Sequence, residues 1–544
     1  MSALIALAVG IAVVMGSIVF LRQHAFIALL AAGFAVGLLT QSESIFRSQL
    51  RGDALRVGKV QADGYELEGM SEDLKLGTYE VYRENAQRRW TVEGTVSITA
   101  IDGKKAQIGT NGKSLHRDDV LVTPADVIQA RQVAGQSPVV RLVNGFGETC
   151  RKIGILIAMA SVIGVCLLES GGAARIVRAM TGGLGEKRSP MAFALSGFTL
   201  GVPVYFDTVF FLLIPLAKAL YRQTRRHYML YVLAVVVGAT MAHSLVPPTP
   251  GPLFVAEELG VNLGLTILCG LIIGSICAVV GYSYAIWLDW RLPGTCPSDE
   301  EVEGALESTP SVAKPPALGL ALLPILLPVV LLGTVGVLDF LNWRAPYAWV
   351  NQTIDFVGDK NVALSISALL ALVMLYRSKQ NAAAAQQSIQ TALSNAGIVI
   401  LITAAGGAFG QMIRQTDIAS QLAQWIPSSG SAFALLAVAF LTTALVRVAQ
   451  GSATVAMITA IGIIGPVAAT MELPFHPVYL VMAIGCGSKP LPWMNDSGFW
   501  VVGKMSGLTP GETFRGFSLM LTLMGLTGLL VTLLAAWLVP LVPR

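Results

Sequence analysis

Charge is scarce in this sequence. Of its 544 residues only 13% are Asp, Glu, Lys or Arg, against roughly 25% in soluble domains, while 54% are hydrophobic and mean hydropathy is +0.66. That deficit excludes a soluble globular protein and indicates a polytopic membrane chain. Cysteine is sparse as well. Cys150, Cys166, Cys269, Cys277, Cys296 and Cys486 form no CxxC pair, and most sit in apolar runs, so they read as small packing residues rather than redox or metal groups. A phosphate-binding P-loop, a metal-ligand cluster and a nucleophilic triad are all missing, so neither ATP-driven pumping nor membrane hydrolysis has supporting residues. We expect no enzyme activity, no cofactor, no metal and no nucleic-acid partner. The first apolar stretch, ALIALAVGIAVVMGSIVFL, lacks a basic leader and a cleavage site followed by a polar domain, and reads as a retained span.

The charge that exists is concentrated: 29 of the 70 charged residues fall between Glu43 and Glu148. Elsewhere, apolar runs long enough to span a bilayer as helices are expected near 3–21, 25–41, 152–169, 228–258, 262–288, 317–338, 360–376, 393–412, 477–504 and 516–540. The runs at 228–258 and 477–504 are broken by HSLVPPTPGPLF and SKPLPWMNDSGF, because proline removes a donor and restricts the preceding residue. Two further runs, 189–220 and 431–466, are too long for one span and polar at their middles. Each is expected to enter the membrane and return. Arg175, Arg178, Lys187, Arg188, Arg222, Arg225 and Arg226 flank the first hairpin, placing its ends in the cytoplasm. The second is flanked by QLAQWIPSSG and VAATMELPFHP, without Lys or Arg, so its ends face outward.

Laid on itself with an offset of about 245, the chain superposes 152–169 on 397–414, Asp207 on Ser452, and His243 on Ser488. An odd number of spans between the halves inverts the second copy, as in many secondary transporters. The expected fold is therefore an all-α polytopic membrane protein, an inverted-repeat transporter with two re-entrant hairpins and two broken helices, plus a small β-rich soluble insertion. Its parts are two scaffold spans in 1–41, the insertion at 42–147, first-repeat transport elements in 148–290, a loop at 291–316, scaffold spans in 317–376 and second-repeat elements in 377–544. The insertion contains RWTVEGTVSITAIDGKKAQIGT, where DG suits a hairpin turn between β-rich flanks. It is expected outside the cytoplasm.

Interrupted helices free backbone groups that protein, water or a ligand must satisfy, and half-helix N-termini bring partial positive charge to an anion. One site near the midplane is expected where the four interrupted elements meet. Asp207, among aromatic and apolar neighbours, is costly there unless it pairs or functions. It suits a proton carrier, or else a helix cap. Arg447 offers a guanidinium fork for a carboxylate, or a structural ion pair with Asp207 or Asp496. Gly451, Ser452 and Thr454 allow close approach and offer donors, or serve helix packing. Asn495, Asp496 and Ser497 resemble the polar tip of an unwound segment, and His243 is either a titrating group or a packing residue.

ESGGAARIVRAMTGGLGEKRSPMAFALSGFTLGVPVYFDTVFFLLIPLAKAL, HSLVPPTPGP, VRVAQGSATVAMITAIGIIGP and NDSGFWVVGKMSGLTPGETFRGFSLM together resemble the gluconate permease family, proton symporters for gluconate and related hydroxy acids. The resemblance runs well over about 150–540 and weakly over the first two spans. It implies uptake of a small organic anion with protons, by a transport domain moving against a scaffold. The family's acidic hairpin position falls on Asp207, its RVALGSAT pattern on Arg447 to Thr454 and its NDSGFW on Asn495 to Trp500. The chain departs at Thr249, where the family has His, at Pro492 to Met494, where it has a Ser-His pair, and in carrying the insertion.

The expectation is thus a secondary transporter in a bacterial inner membrane, importing gluconate or a related sugar acid with protons. Substrate contacts are assigned to Arg447, Gly451, Ser452, Thr454, Asn495, Ser497, Thr249 and Gly251, and proton coupling to Asp207, Asp496 and His243. Partners are the anion, protons and membrane lipid, and a homo-oligomer is compatible. Alternatives are sodium-coupled transport of a carboxylate or D-amino acid on the same fold, and a membrane sensor working through the insertion.

Overall fold

The computed structural model describes residues 3–17, 21, 23–52, 55–61, 64–68, 76–84, 90–102, 105–109, 115–116, 119–185, 188–292, 316–341, 343–378, 382–418, 431–469, 471, 473–494 and 496–542. Among these, eight helices are long and apolar enough to cross a membrane. The chain is mostly helical, as expected. The loop at 291–316 lies almost wholly outside the described residues.

The helix expected over 152–169 begins much earlier, at Pro138, and runs to Glu169. Ser137 caps it, accepting from Val140 N at 3.3 Å, and Pro138 occupies the first turn, where its missing N–H costs nothing. Its polar first turns lie outside the apolar window, which is why hydropathy alone starts it late. Its neighbour is the equally long helix Ala382–Arg414, and Ser161 Oγ donates to the Ala392 carbonyl at 2.7 Å where they meet.

Each stretch expected to be interrupted is two helices with a break between them. The first pair is Ser189–Leu200 and Phe206–Thr224; the second is Ser431–Gln450 and Ala453–Ala468. The proline-rich runs divide into Tyr228–Leu245 with Pro250–Glu258, and Val478–Gly487 with Ser497–Ser506. In the first of these, the helix stops at Leu245, just before Pro247 and Pro248, and Pro250 takes a first-turn position in the next. Tyr228–Glu258 is the most buried of the eight candidate spans, with 94% of its apolar window inside the protein. The helix Ser189–Leu200 packs on it so closely that a Cβ on Gly238 would overlap the Ala194 carbonyl.

Between the first two apolar helices (Ala3–Met15 and Ala25–Leu39) and Pro138, the chain builds a closed antiparallel barrel. Its strands are β1 (Leu55–Gln61), β2 (Gly64–Glu68), β3 (Gly77–Glu84), β4 (Trp90–Asp102), β5 (Lys105–Gly109) and β6 (Val120–Val122), in the order β1-β2-β5-β4-β3-β6. Closure leaves no unpaired edge. Leu55, Val57, Val81, Val96, Ile98 and Leu121 fill the interior. The β4–β5 hairpin closes with Asp102 opposite Lys105, at the DG signal. Arg83 Nε and Nη2 each donate at 2.7 Å to the Asp119 carboxylate, pinning β3 to the strand approach of β6. Helices Ser42–Gly52 and Pro124–Gly135 flank the barrel, with Phe46 edge-on to Tyr82 at 6.2 Å.

Candidate functional site

The four broken elements meet at one cavity of about 190 Å³. Three helices of 19, 16 and 10 residues, starting at Phe206, Ala453 and Ser497, begin on its wall. Each brings unpaired N–H groups and the positive end of its dipole. Two cations join them. Arg447 stands in the last turn of Ser431–Gln450, and Lys489 follows Val478–Gly487; both are at least 95% buried. Two carboxylates complete the charged set, Asp207 in the first turn of Phe206–Thr224 and Asp496 capping Ser497–Ser506.

Asp496 is committed on both oxygens. One pairs with Arg447 Nη1, and the other accepts from Phe499 N at 2.9 Å. Arg447 is thus paired with Asp496, while its Nε has no hydrogen-bond partner among the described residues. Asp207 is half-buried on the cavity wall. Ser452 caps Ala453–Ala468 through a long 3.4 Å bond from Val455 N, leaving its hydroxyl proton free to donate. Gly451 adopts φ +79°, the left-handed turn that glycine takes without penalty, and this brings the two arms of that pair together at the wall.

Thus Asp207, His243, Arg447, Gly451, Ser452, Thr454, Asp496 and Ser497 line one cavity. His243 stacks beside Tyr205 with ring centroids 5.9 Å apart, and its Nδ1 is buried without a partner among the described residues. Thr249 and Gly251 are not on the wall. The Thr249 hydroxyl donates back to the Val246 carbonyl at 2.7 Å, and Gly251 packs against Met457. Asn495 lies outside the described residues. Sequence reasoning missed Lys489, Tyr205 and Thr240, all lining residues. Lys489 carried a usable signal, since an ionisable residue inside an apolar span points to a site by default.

Three helix N-termini and two buried cations thus give the cavity wall the groups that anion sites use. Its volume lies below the roughly 300–1,000 Å³ of pockets for drug-sized ligands.

The model of the GntP family permease matches residues 129–538, a stretch that starts after the barrel. The chain is 33% identical to an uncharacterized permease of Haemophilus influenzae, over 68% of this chain and 76% of the relative. It is 32% identical to the gluconate permease of Pseudomonas aeruginosa, over 72% of this chain and 86% of the relative. A crystal structure of the Alcanivorax borkumensis YdaH transporter is similar at TM-score 0.46 and 16% identity, covering 79% of this chain and 94% of that one.

Proposed function

Because this chain belongs to the GntP family of permeases, a multi-pass membrane transporter and no enzyme, we propose that it imports gluconate or a related small hydroxy acid by symport with protons. The convergence of three helix N-termini with Arg447 and Lys489 on one small cavity carries the reading. The names of relatives, gluconate permease among them, support the substrate class.

Charge balance favours a co-transported cation. The lining holds two carboxylates, Asp207 and Asp496, and two basic groups, Arg447 and Lys489, so with all four ionised its own charges cancel. A bound monocarboxylate makes the loaded site negative, and moving net charge through a bilayer is costly. One proton on Asp207, whose carboxylate faces the cavity while Asp496 is held by Arg447, restores neutrality. Arg447 then keeps Asp496 in place, and Ser452, Thr454 and Ser497 donate to substrate hydroxyls.

The architecture we infer for this cycle is an inverted repeat. The helix pairs 189–224 and 431–468 are its re-entrant hairpins, and the proline-rich breaks its unwound spans. Supporting this, Ser244 and Lys489, which a 245-residue offset superposes, touch each other at 2.6 Å, as equivalent positions do beside a two-fold axis. The Lys/Arg distribution supports a barrel outside the cytoplasm of a bacterial inner membrane. Uptake of labelled D-gluconate by cells lacking other gluconate carriers tests the proposal. Uptake that persists without sodium and collapses with a protonophore supports it; dependence on sodium, or no uptake of any sugar acid, overturns it.

A further inference from the structure

Lys489 is the cation in the cavity that has no ion-pair partner among the described residues. Its stem leaves the second broken span and its ammonium crosses to the first, donating to the Thr240 carbonyl and, at 2.6 Å, to Ser244 Oγ. Both acceptors are neutral, and Lys489 forms no ion pair among the described residues. The residue is 2% exposed. A buried ammonium without a carboxylate is expensive, and its contact with the last turns of Tyr228–Leu245 offsets only part of that cost. The other cation is differently placed: Arg447 is already paired with Asp496.

We propose that Lys489 is the residue that receives the substrate's carboxylate, and that it makes the site selective for small hydroxy acids over neutral polyols of the same shape. This rests on the transporter reading above and names the group that reads the charge of its substrate. An ammonium has three donors. Thr240 and Ser244 hold two and fix the nitrogen at the wall, leaving the third for an anion in the cavity that Lys489 lines. His243 Nδ1, buried and unpartnered on the same wall, is available to a substrate hydroxyl. The carboxylate so placed bridges the two broken spans through Lys489, since Thr240 and Ser244 belong to one and Lys489 to the other.

The test is binding of D-gluconate and of D-glucitol, its uncharged counterpart, to the purified full-length protein by calorimetry, for the native chain, K489Q and K489R. Gln keeps two N–H donors for Thr240 and Ser244 but carries no charge, so it separates charge from cross-bracing. K489Q is expected to weaken gluconate binding on the order of 10- to 100-fold, to erase the preference over glucitol, and to leave the unliganded melting temperature within a few degrees. K489R is expected to recover much of the gluconate affinity. Should K489Q not yield folded protein, K489M, which keeps the apolar stem, replaces it with the same expectation. Gluconate affinity unchanged in the uncharged variant, or K489R as impaired as K489Q, overturns the proposal while leaving the transporter reading intact. A native chain that binds no sugar acid overturns the reading beneath it.

Discussion

Arg447 and Asp496 form an ion pair sealed from solvent on both sides, with exposures of 5% and 3%. The arginine ends one helix of the second hairpin and the aspartate begins the second half of a broken span. The pair thus ties these two elements together, beside the 2.9 Å hydrogen bond from Trp493 Nε1 to the Val448 carbonyl.

Asp496→Asn leaves the cap to Phe499 N available but strands the guanidinium. Removing one partner of a buried pair costs about 3–5 kcal/mol, so the purified variant is expected to melt well below the native protein and to lose uptake. Asp496→Ala removes the cap too and is expected to cost about 1 kcal/mol more. Thermal melts in detergent check the order; equal melting of all three chains would refute the structural role given to the pair.

Asp207→Asn separates binding from coupling. With the carboxylate gone, the variant is expected to exchange labelled for unlabelled gluconate across proteoliposomes while failing to accumulate it against a gradient. Native protein is expected to accumulate more at acid external pH, where protons are supplied, and the variant to lose that dependence. Uphill accumulation by Asp207→Asn would remove Asp207 from the proton path.

Gly451→Ala places a Cβ on backbone at φ +79°. The penalty for a non-glycine residue in that region is about 1–2 kcal/mol, and here it falls between Arg447 and Ser452. A lowered melting temperature together with a raised KM is expected. Uptake kinetics check it, and a raised KM without any loss of stability would point to steric occlusion alone.

The barrel is expected to be dispensable for transport. Leu55 pairs with Leu121, so the chain enters and leaves the barrel one strand spacing apart, about 4.8 Å, and a linker of about four Gly/Ser residues bridges the gap. The family match also begins beyond it, at residue 129. Excising 53–123 is expected to retain measurable gluconate uptake. A stable, membrane-inserted but inactive deletion would favour a sensor or gating role for the barrel.

Legibility in the sequence followed how local the signal was. Breakers and lone charges in apolar runs are local, and Asp207, His243, Arg447, Gly451, Ser452, Thr454, Asp496 and Ser497 were found that way and share one wall. Lys489 escaped although it lies inside the quoted break, because Pro490 and Pro492 drew the reading toward backbone geometry and away from charge. Thr249 stands where the resembled family has His, and Gly251 follows it in the same proline-rich break. The structure turns the Thr249 hydroxyl back onto Val246, which no spacing rule anticipates. β-strands were legible from alternation, but barrel closure depends on β6 pairing with both β1 and β3, contacts between distant segments. The early start of Pro138–Glu169 was signalled by Ser137 and Pro138, a capping pattern that hydropathy does not see.

The burial of Tyr228–Glu258, 94% over its apolar window, has a consequence for how the membrane acts on this protein. Bilayer thickness acts on helices through the lipid they touch, at fractions of a kcal/mol per Å of mismatch. A span wrapped almost entirely in protein offers lipid no handle. Thicker or thinner membranes press on the outer helices, such as Leu263–Arg291 with its exposed Ile272, Val279 and Trp290, while the element carrying His243, Thr240 and Ser244 is insulated. The first broken span is thus screened from direct lipid contact by the helices around it.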